Sequence, residues 1–196
     1  MAMDYSNVVK GNITQSLLKS LFERAGYRVT RLGVEEVFNE IIYLGGEEYQ
    51  ALNLPENLRF LPDLLVAEHD LERAFLVEVK FRKVFTEKSA KSLYRELKRQ
   101  RKHWKDSYAV IMVAKSWSDD NRFHQDYIRV VPPGETERLI DTEWIRQSDP
   151  GRNYECIWKA LPKLNDVFRE FKWNNVNANA ANADLITAII RNLKEL

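Results

Sequence analysis

The chain of 196 residues has one cysteine, Cys156, and only three histidines, His69, His103 and His124. A lone cysteine cannot close an internal disulfide, and it has no Cys or His partner at zinc-ligand spacing. This excludes a disulfide-stapled scaffold and a structural zinc module. Cys156 is expected to act as a small buried hydrophobe. His69 and His103 have no serine or cysteine nucleophile paired with them, which argues against a Ser or Cys hydrolase. Long apolar runs are missing as well: none approaches the roughly 18 residues of a membrane span. Met1-Ala2-Met3-Asp4 lacks the basic-then-apolar pattern of a secretory signal. The expectation is a soluble, cytoplasmic protein with no membrane partner. An excess of one charge is also lacking, since 30 Lys and Arg face 29 Asp and Glu for a formal net charge of +1. Whole-molecule electrostatics therefore do not mark a nucleic-acid binder.

What is present is enough apolar material, 44% hydrophobic and 11% aromatic, for one sizeable core and one compact main domain over residues 1–173. Leu17, Leu18, Leu21, Phe22 and Ala25 recur at helical spacing and Gly26 follows as a cap, which predicts an amphipathic helix over Thr14 to Ala25. Tyr27 to Leu32 alternates like a strand. Glu35 to Leu44 is expected to be a second helix and Gly45 to Asn57 a loop. Phe60 to Ala67 and Arg73 to Arg82 are two β-rich runs around Glu68-His69-Asp70-Leu71-Glu72, the pattern of an antiparallel hairpin. A long helix is expected to start near Thr86 or Ser89 and run past Trp104. Strands follow at Tyr108 to Ala114 and Tyr127 to Val131, then a helix from Ile157 to Phe171 despite Pro162. The Asn/Ala stretch over residues 174–183 reads as a flexible linker. Beyond it, residues 184–196 form an amphipathic C-terminal helix that docks on the body, meets a partner copy or stays mobile.

Charge is unevenly distributed. Between Lys83 and Lys105 there are nine Lys and Arg residues against Glu87 and Glu96. This stripe is either the solvated face of the long helix or a track for phosphates, with Lys88, Lys91, Arg95 and Lys98 at spacings of three or four as the candidate nucleic-acid contacts. The five tryptophans, Trp104, Trp117, Trp144, Trp158 and Trp173, read as core or helix-packing residues. Trp117 and His124 are the exceptions, placed in a loop where stacking on a base or contact with a phosphate is open.

The chemistry concentrates in two short segments. In the run Phe75-Leu76-Val77-Glu78-Val79-Lys80-Phe81, alternation puts Glu78 and Lys80 on one face and Val77, Val79 and Phe81 on the other. An anion and a cation inside so apolar a strand require partners or a ligand to offset desolvation. Asp63 follows Pro62 at the start of the preceding strand, and hairpin pairing brings its carboxylate toward Glu78. Two carboxylates with backbone oxygens and waters make a hard oxygen site that suits Mg²⁺ or Mn²⁺ better than zinc. Lys80 would face the same water or phosphate, to stabilise negative charge or help deprotonate the nucleophile.

Leu61-Pro62-Asp63, with fourteen residues separating Asp63 from Glu78, and then Val77-Glu78-Val79-Lys80 resemble the signature of the PD-(D/E)XK nuclease superfamily. The order of elements over roughly residues 10 to 131 resembles its restriction-endonuclease-like core, including archaeal-type Holliday junction resolvases. The resemblance implies an α/β fold, a central mixed β-sheet flanked by helices, here with extra C-terminal helices. It also implies Mg²⁺-dependent cleavage of DNA or, less often, RNA, with Asp63 and Glu78 as metal ligands and Lys80 as the catalytic lysine. Gln100 and Tyr94 resemble polar helix residues that some members place near the site. One departure is Gln15, on the first helix after Gly11, where many members carry a Glu that helps hold the metal. Gln15 puts a second metal ion in doubt, and Glu23, Glu35 or Glu36 are candidate substitutes. The expectation is thus an endonuclease-type phosphodiesterase with candidate catalytic residues Asp63, Glu78, Lys80 and Gln15, with a homodimer open as the way to cut two strands. A nuclease-fold module that binds nucleic acid or protein without cutting is the first rival. An unrelated α/β protein with a chance motif is the second, and it would leave Asp63 remote from Glu78.

Overall fold

The computed structural model describes residues 5–37, 44, 48, 51–115, 124–141, 153–171, 190 and 193. A first helix, α1 (Tyr5–Arg24), leads into strand β1 (Arg28–Arg31). The helix stops because Gly26 takes a positive φ of 99°. That conformation lets Tyr27 N–H reach the Phe22 carbonyl at 3.0 Å and Gly26 N–H reach the Glu23 carbonyl at 3.1 Å, the paired bonds of a Schellman cap. The helix begins well before the expected Thr14. Of the helix expected over Glu35 to Leu44, one turn (Val34–Val37) lies in the described residues.

Strands β2 (Leu64–Ala67) and β3 (Ala74–Val84) form the expected hairpin, with Leu64 opposite Val77 and Ala67 opposite Ala74. The turn is tied by Glu68, whose buried carboxylate takes three bonds from the Arg73 guanidinium and lies 2.8 Å from Arg169. β2 starts at Leu64 and not at Phe60, and a single helical turn (Glu56–Arg59) lies just before the expected run. Helix α2 (Glu87–Gln100) then crosses over to β4 (Tyr108–Lys115), which pairs parallel to β3, as a connection of this length allows. Thr86 and Ser89 close its N-terminus reciprocally, with the Ser89 hydroxyl accepting from Thr86 N–H at 2.7 Å. α2 ends at Gln100 and not beyond Trp104. Arg101, directly after it, donates to the carbonyls of Ser107 (3.1 Å) and Val131 (2.7 Å) and fixes the exit of the chain.

Strand β5 (Ile128–Val131) pairs antiparallel with β4 and completes a five-stranded mixed open sheet in the order β1-β2-β3-β4-β5, flanked by helices. The helix expected over Ile157 to Phe171 is broken. Pro162 cannot continue it, so α3 (Asn153–Ala160) stops and a separate turn forms at Leu164–Val167. The Pro162 carbonyl instead accepts from Val130 N–H at 2.8 Å.

Beneath α1, the core is aromatic: Phe22 meets Phe168 and Phe171 edge-on at 4.9 and 5.2 Å, and Phe75 meets Phe168 and Tyr108 at 5.2 and 5.5 Å. Ile190 and Leu193 are buried in the same core, so these two residues of the C-terminal segment dock on the body. The linker over residues 174–183, the loop holding Trp117, and Trp144 and Trp173 lie outside the described residues, as does the side chain of His124. Trp158 is buried in the core and Cys156 is partly buried against it. Among the described residues, no helix is long and apolar enough to cross a membrane.

Candidate active site

The hairpin register decides the first question about the motif. Leu64 pairs with Val77, so one step outward Asp63 stands opposite Glu78. β3 runs on past the start of β2, and the Val79 N–H is taken by the Asp63 carboxylate, which accepts it through Oδ2 at 2.7 Å. The other carboxylate oxygen, Oδ1, accepts from Gln15 Nε2 at 2.8 Å. The backbone is fixed too, with the Asp63 carbonyl accepting from Leu32 N–H at 2.8 Å. Just upstream, Phe60 stacks on His103 at 5.4 Å and Trp104 donates to the Asn57 carbonyl at 2.9 Å, tying the approach to Asp63 onto the residues that follow α2.

Glu78 is buried at 9% exposure and is held from two sides. Lys80 Nζ, from the same face of β3, lies 2.7 Å from Oε1, and Gln100 at the end of α2 donates to Oε2. Burial pushes the Glu78 carboxyl above its usual range; the Lys80 charge and the bonds from Lys80 and Gln100 oppose that push without cancelling it. Lys80 shows the reverse balance. Burial pulls its ammonium down, but the carboxylates of Glu78, Asp63 and Glu96 more than offset this and leave the pKa raised. Lys80 is therefore a firm cation facing two motif acids, which suits charge stabilisation better than proton abstraction.

A third acid completes the cluster. Glu96 lies on α2 with Oε2 3.8 Å from Lys80 Nζ, while its Oε1 takes Arg82 Nη2 at 2.5 Å and the Ser92 hydroxyl at 2.7 Å. Burial would raise its pKa, but Ser92, Arg82 and Lys80 together hold it below the usual carboxylate range. Sequence reasoning counts Glu96 only as a break in the basic stripe. The signal is Ser92, Glu96 and Gln100, three polar residues four apart and so on one helix face, beside the buried Ala90, Leu93 and Leu97. Of the two polar helix residues singled out from sequence, Gln100 reaches the site. Tyr94 does not: its hydroxyl accepts from Lys98 and donates to Glu137.

Gln15 is in place but acts as a donor. With its Nε2 against a carboxylate, the amide supplies a hydrogen bond that orients Asp63 and does not add a negative ligand. The candidate substitutes do not reach the cluster: Glu23 pairs with Lys19 and Glu36 with Arg31, both exposed, and the Glu35 side chain lies outside the described residues. Among the described residues, no group of three or more His, Cys, Asp or Glu side chains could hold a metal ion. The donor set is thus two carboxylates, Asp63 and Glu78. A carboxylate offers about four acceptor sites, and the two bonds to Glu78 leave room for a hard cation that keeps several waters.

Lys88, Lys91, Arg95 and Lys98 are all exposed, on the side of α2 opposite the buried Ala90, Leu93 and Leu97. Lys91 pairs with Glu87 at 2.6 Å, and Lys98 binds the Tyr94 hydroxyl at 2.7 Å. Together with Arg101, Lys102 and Lys105, Lys98 lines a cavity of about 310 Å³. Two residues along a helix is about 200° of rotation, so Lys98 and Glu96 look in opposite directions. In comparisons with known proteins, no family model, no curated protein and no solved structure matches the chain.

Proposed function

We propose that this chain is a metal-dependent phosphodiesterase of endonuclease type, acting on DNA, and that its sheet is a restriction-endonuclease-like core of the PD-(D/E)XK superfamily. The observation that carries the reading is the meeting of Asp63 and Glu78 across the hairpin, with Lys80 Nζ 2.7 Å from Glu78 on the same face. A chance motif would have no reason to bring all three together. Asp63 and Glu78 would hold a Mg²⁺ or Mn²⁺ ion, which when bound would polarise a phosphate oxygen and make a coordinated water acidic enough to attack. The protein's own part follows from its charges. Lys80, kept protonated, faces the site and offsets the negative charge that grows on a phosphoryl group during attack. Val79 N–H and Gln15 aim the Asp63 carboxylate, and Gln100 aims that of Glu78, so both acids are set before any ligand arrives. The exposed cations of α2 would contact backbone phosphates outside the reacting centre.

A second reading, a nuclease-fold module that binds without cutting, is favoured by the neutral Gln15 and by the internal pairing of Glu78 with Lys80. The two readings part on one assay. Purified protein is incubated with plasmid, linear, branched and single-stranded DNA in Mg²⁺ or Mn²⁺, beside Lys80→Ala and Asp63→Ala. The nuclease reading expects cleavage of at least one form, reduced about 10²- to 10³-fold in each variant. Equal, negligible cleavage by all three proteins, with DNA still bound, would establish the binding module.

A further inference from the structure

Lys80 sits between two carboxylates that are held very differently. Glu78 contacts it directly at 2.7 Å, whereas Glu96 Oε2 waits at 3.8 Å, just beyond hydrogen-bond distance. Glu96 is not free to swing away, because Arg82 and Ser92 both bind its Oε1 and so aim Oε2 at the lysine. Arg82 and Lys80 are alternate residues of β3, and Ser92 is one turn before Glu96 on α2. The clamp is therefore built from the same two elements that carry the site.

We propose that Glu96 is a positioning residue that receives Lys80 when Glu78 turns to a divalent cation. This rests on the phosphodiesterase reading and deepens it. Glu78 cannot serve a metal and keep its full contact with Lys80 without crowding two cations on one buried carboxylate. A movement of about 1 Å closes the gap from Lys80 Nζ to Glu96 Oε2 to an ordinary charge-assisted bond. Lys80 then remains paired, and its ammonium stays at the edge of the site instead of opposing the incoming ion. Glu96 itself does not enter the metal's ligand set, since its Oε1 is committed to Arg82 and Ser92.

The test is a double-mutant cycle read by Mn²⁺ binding without DNA, followed by calorimetry or by loss of the free-ion electron paramagnetic resonance signal. Glu96→Gln keeps the size of the side chain but removes the charge that would receive Lys80, and it should weaken Mn²⁺ binding about tenfold. In a Lys80→Met background there is no ammonium to relocate, and the same substitution should weaken binding less than about twofold. Lys80→Gln serves as a second neutral background, and thermal melts confirm that each variant is folded. An equal loss in the presence and absence of Lys80 would overturn the proposal, because Glu96 would then act on the ion directly or through general charge. A wild-type protein that binds no Mn²⁺ at all would overturn the phosphodiesterase reading itself.

Discussion

Strand β3 presents two faces to two different environments. Phe75, Val77 and Val79 are buried under α1 in a core of edge-on aromatic pairs, while Glu78, Lys80 and Arg82 turn to α2 and meet Gln100 and Glu96. The first face is held by apolar burial and dispersion, which are non-directional and additive over many contacts. The second is held by a few directional bonds whose gain is largely spent on desolvating the charges that make them. One strand therefore separates stability from chemistry: the aromatic face should set how firmly the protein folds, and the polar face what it can bind.

The largest effect on folding is expected at Phe168, which is fully buried and packs against Phe22, Tyr27, Phe75 and Tyr108. Phe168→Ala should lower stability by about 4 kcal/mol in urea unfolding. A loss below about 1 kcal/mol would mean that the aromatic face is not the stabilising one. Next in size is an alkaline effect at Tyr27, which is 3% exposed and accepts a 2.9 Å bond from Glu170 N–H. Burial, helped by the nearby Glu68 and Glu170 charges and opposed by the Glu170 N–H bond and Arg73, pushes its hydroxyl up to about 12. Between pH 10 and 12 the unfolded chain loses this proton and the folded chain keeps it, so stability falls as pH rises, by about 2 to 3 kcal/mol at most. Unfolding titrations should show this slope in the wild type and a flatter one in Tyr27→Phe, and parallel curves would contradict the assignment.

Much of this division is legible in the order of residues alone. Period-two alternation in Phe75 to Phe81 separates the faces of β3, and a short turn between two β-rich runs is enough to place Asp63 near Glu78. The packing of elements distant in sequence is not legible there. The phase of α2 against β3 decides that Glu96 faces Lys80 and Gln100 faces Glu78, and that Tyr94 and Lys98 face neither. That phase depends on how Ala90, Leu93 and Leu97 seat in the core. The end of α2 is overread from sequence because the basic, helix-favouring residues up to Lys105 give no local stop, while the tertiary bonds of Arg101 turn the chain there. Pro162 is underrated for the opposite reason, a strong local breaker set against apolar residues that continue on both sides. Gln15 is found by position, but its role as a donor to Asp63 needs the geometry.

Glu78 is where the two faces can be tested against each other. Burial raises its pKa in the fold, so the folded state holds the proton more tightly than the unfolded chain, and stability falls as pH rises from the unfolded value through the folded one. Glu78→Gln removes that titration but also takes away the direct partner of Lys80, whose ammonium is left with Glu96 and Asp63. The decisive measurement is single-turnover DNA cleavage in Mg²⁺ by wild type and Glu78→Gln, with the melting temperature of each. The expected result is a loss of cleavage of about 10²-fold or more in a protein that still melts cooperatively, with the loss far larger than any lowering of its melting temperature accounts for. Unchanged cleavage, or a loss that merely tracks a lowered melting temperature, would contradict a site built for a cation and a phosphodiester.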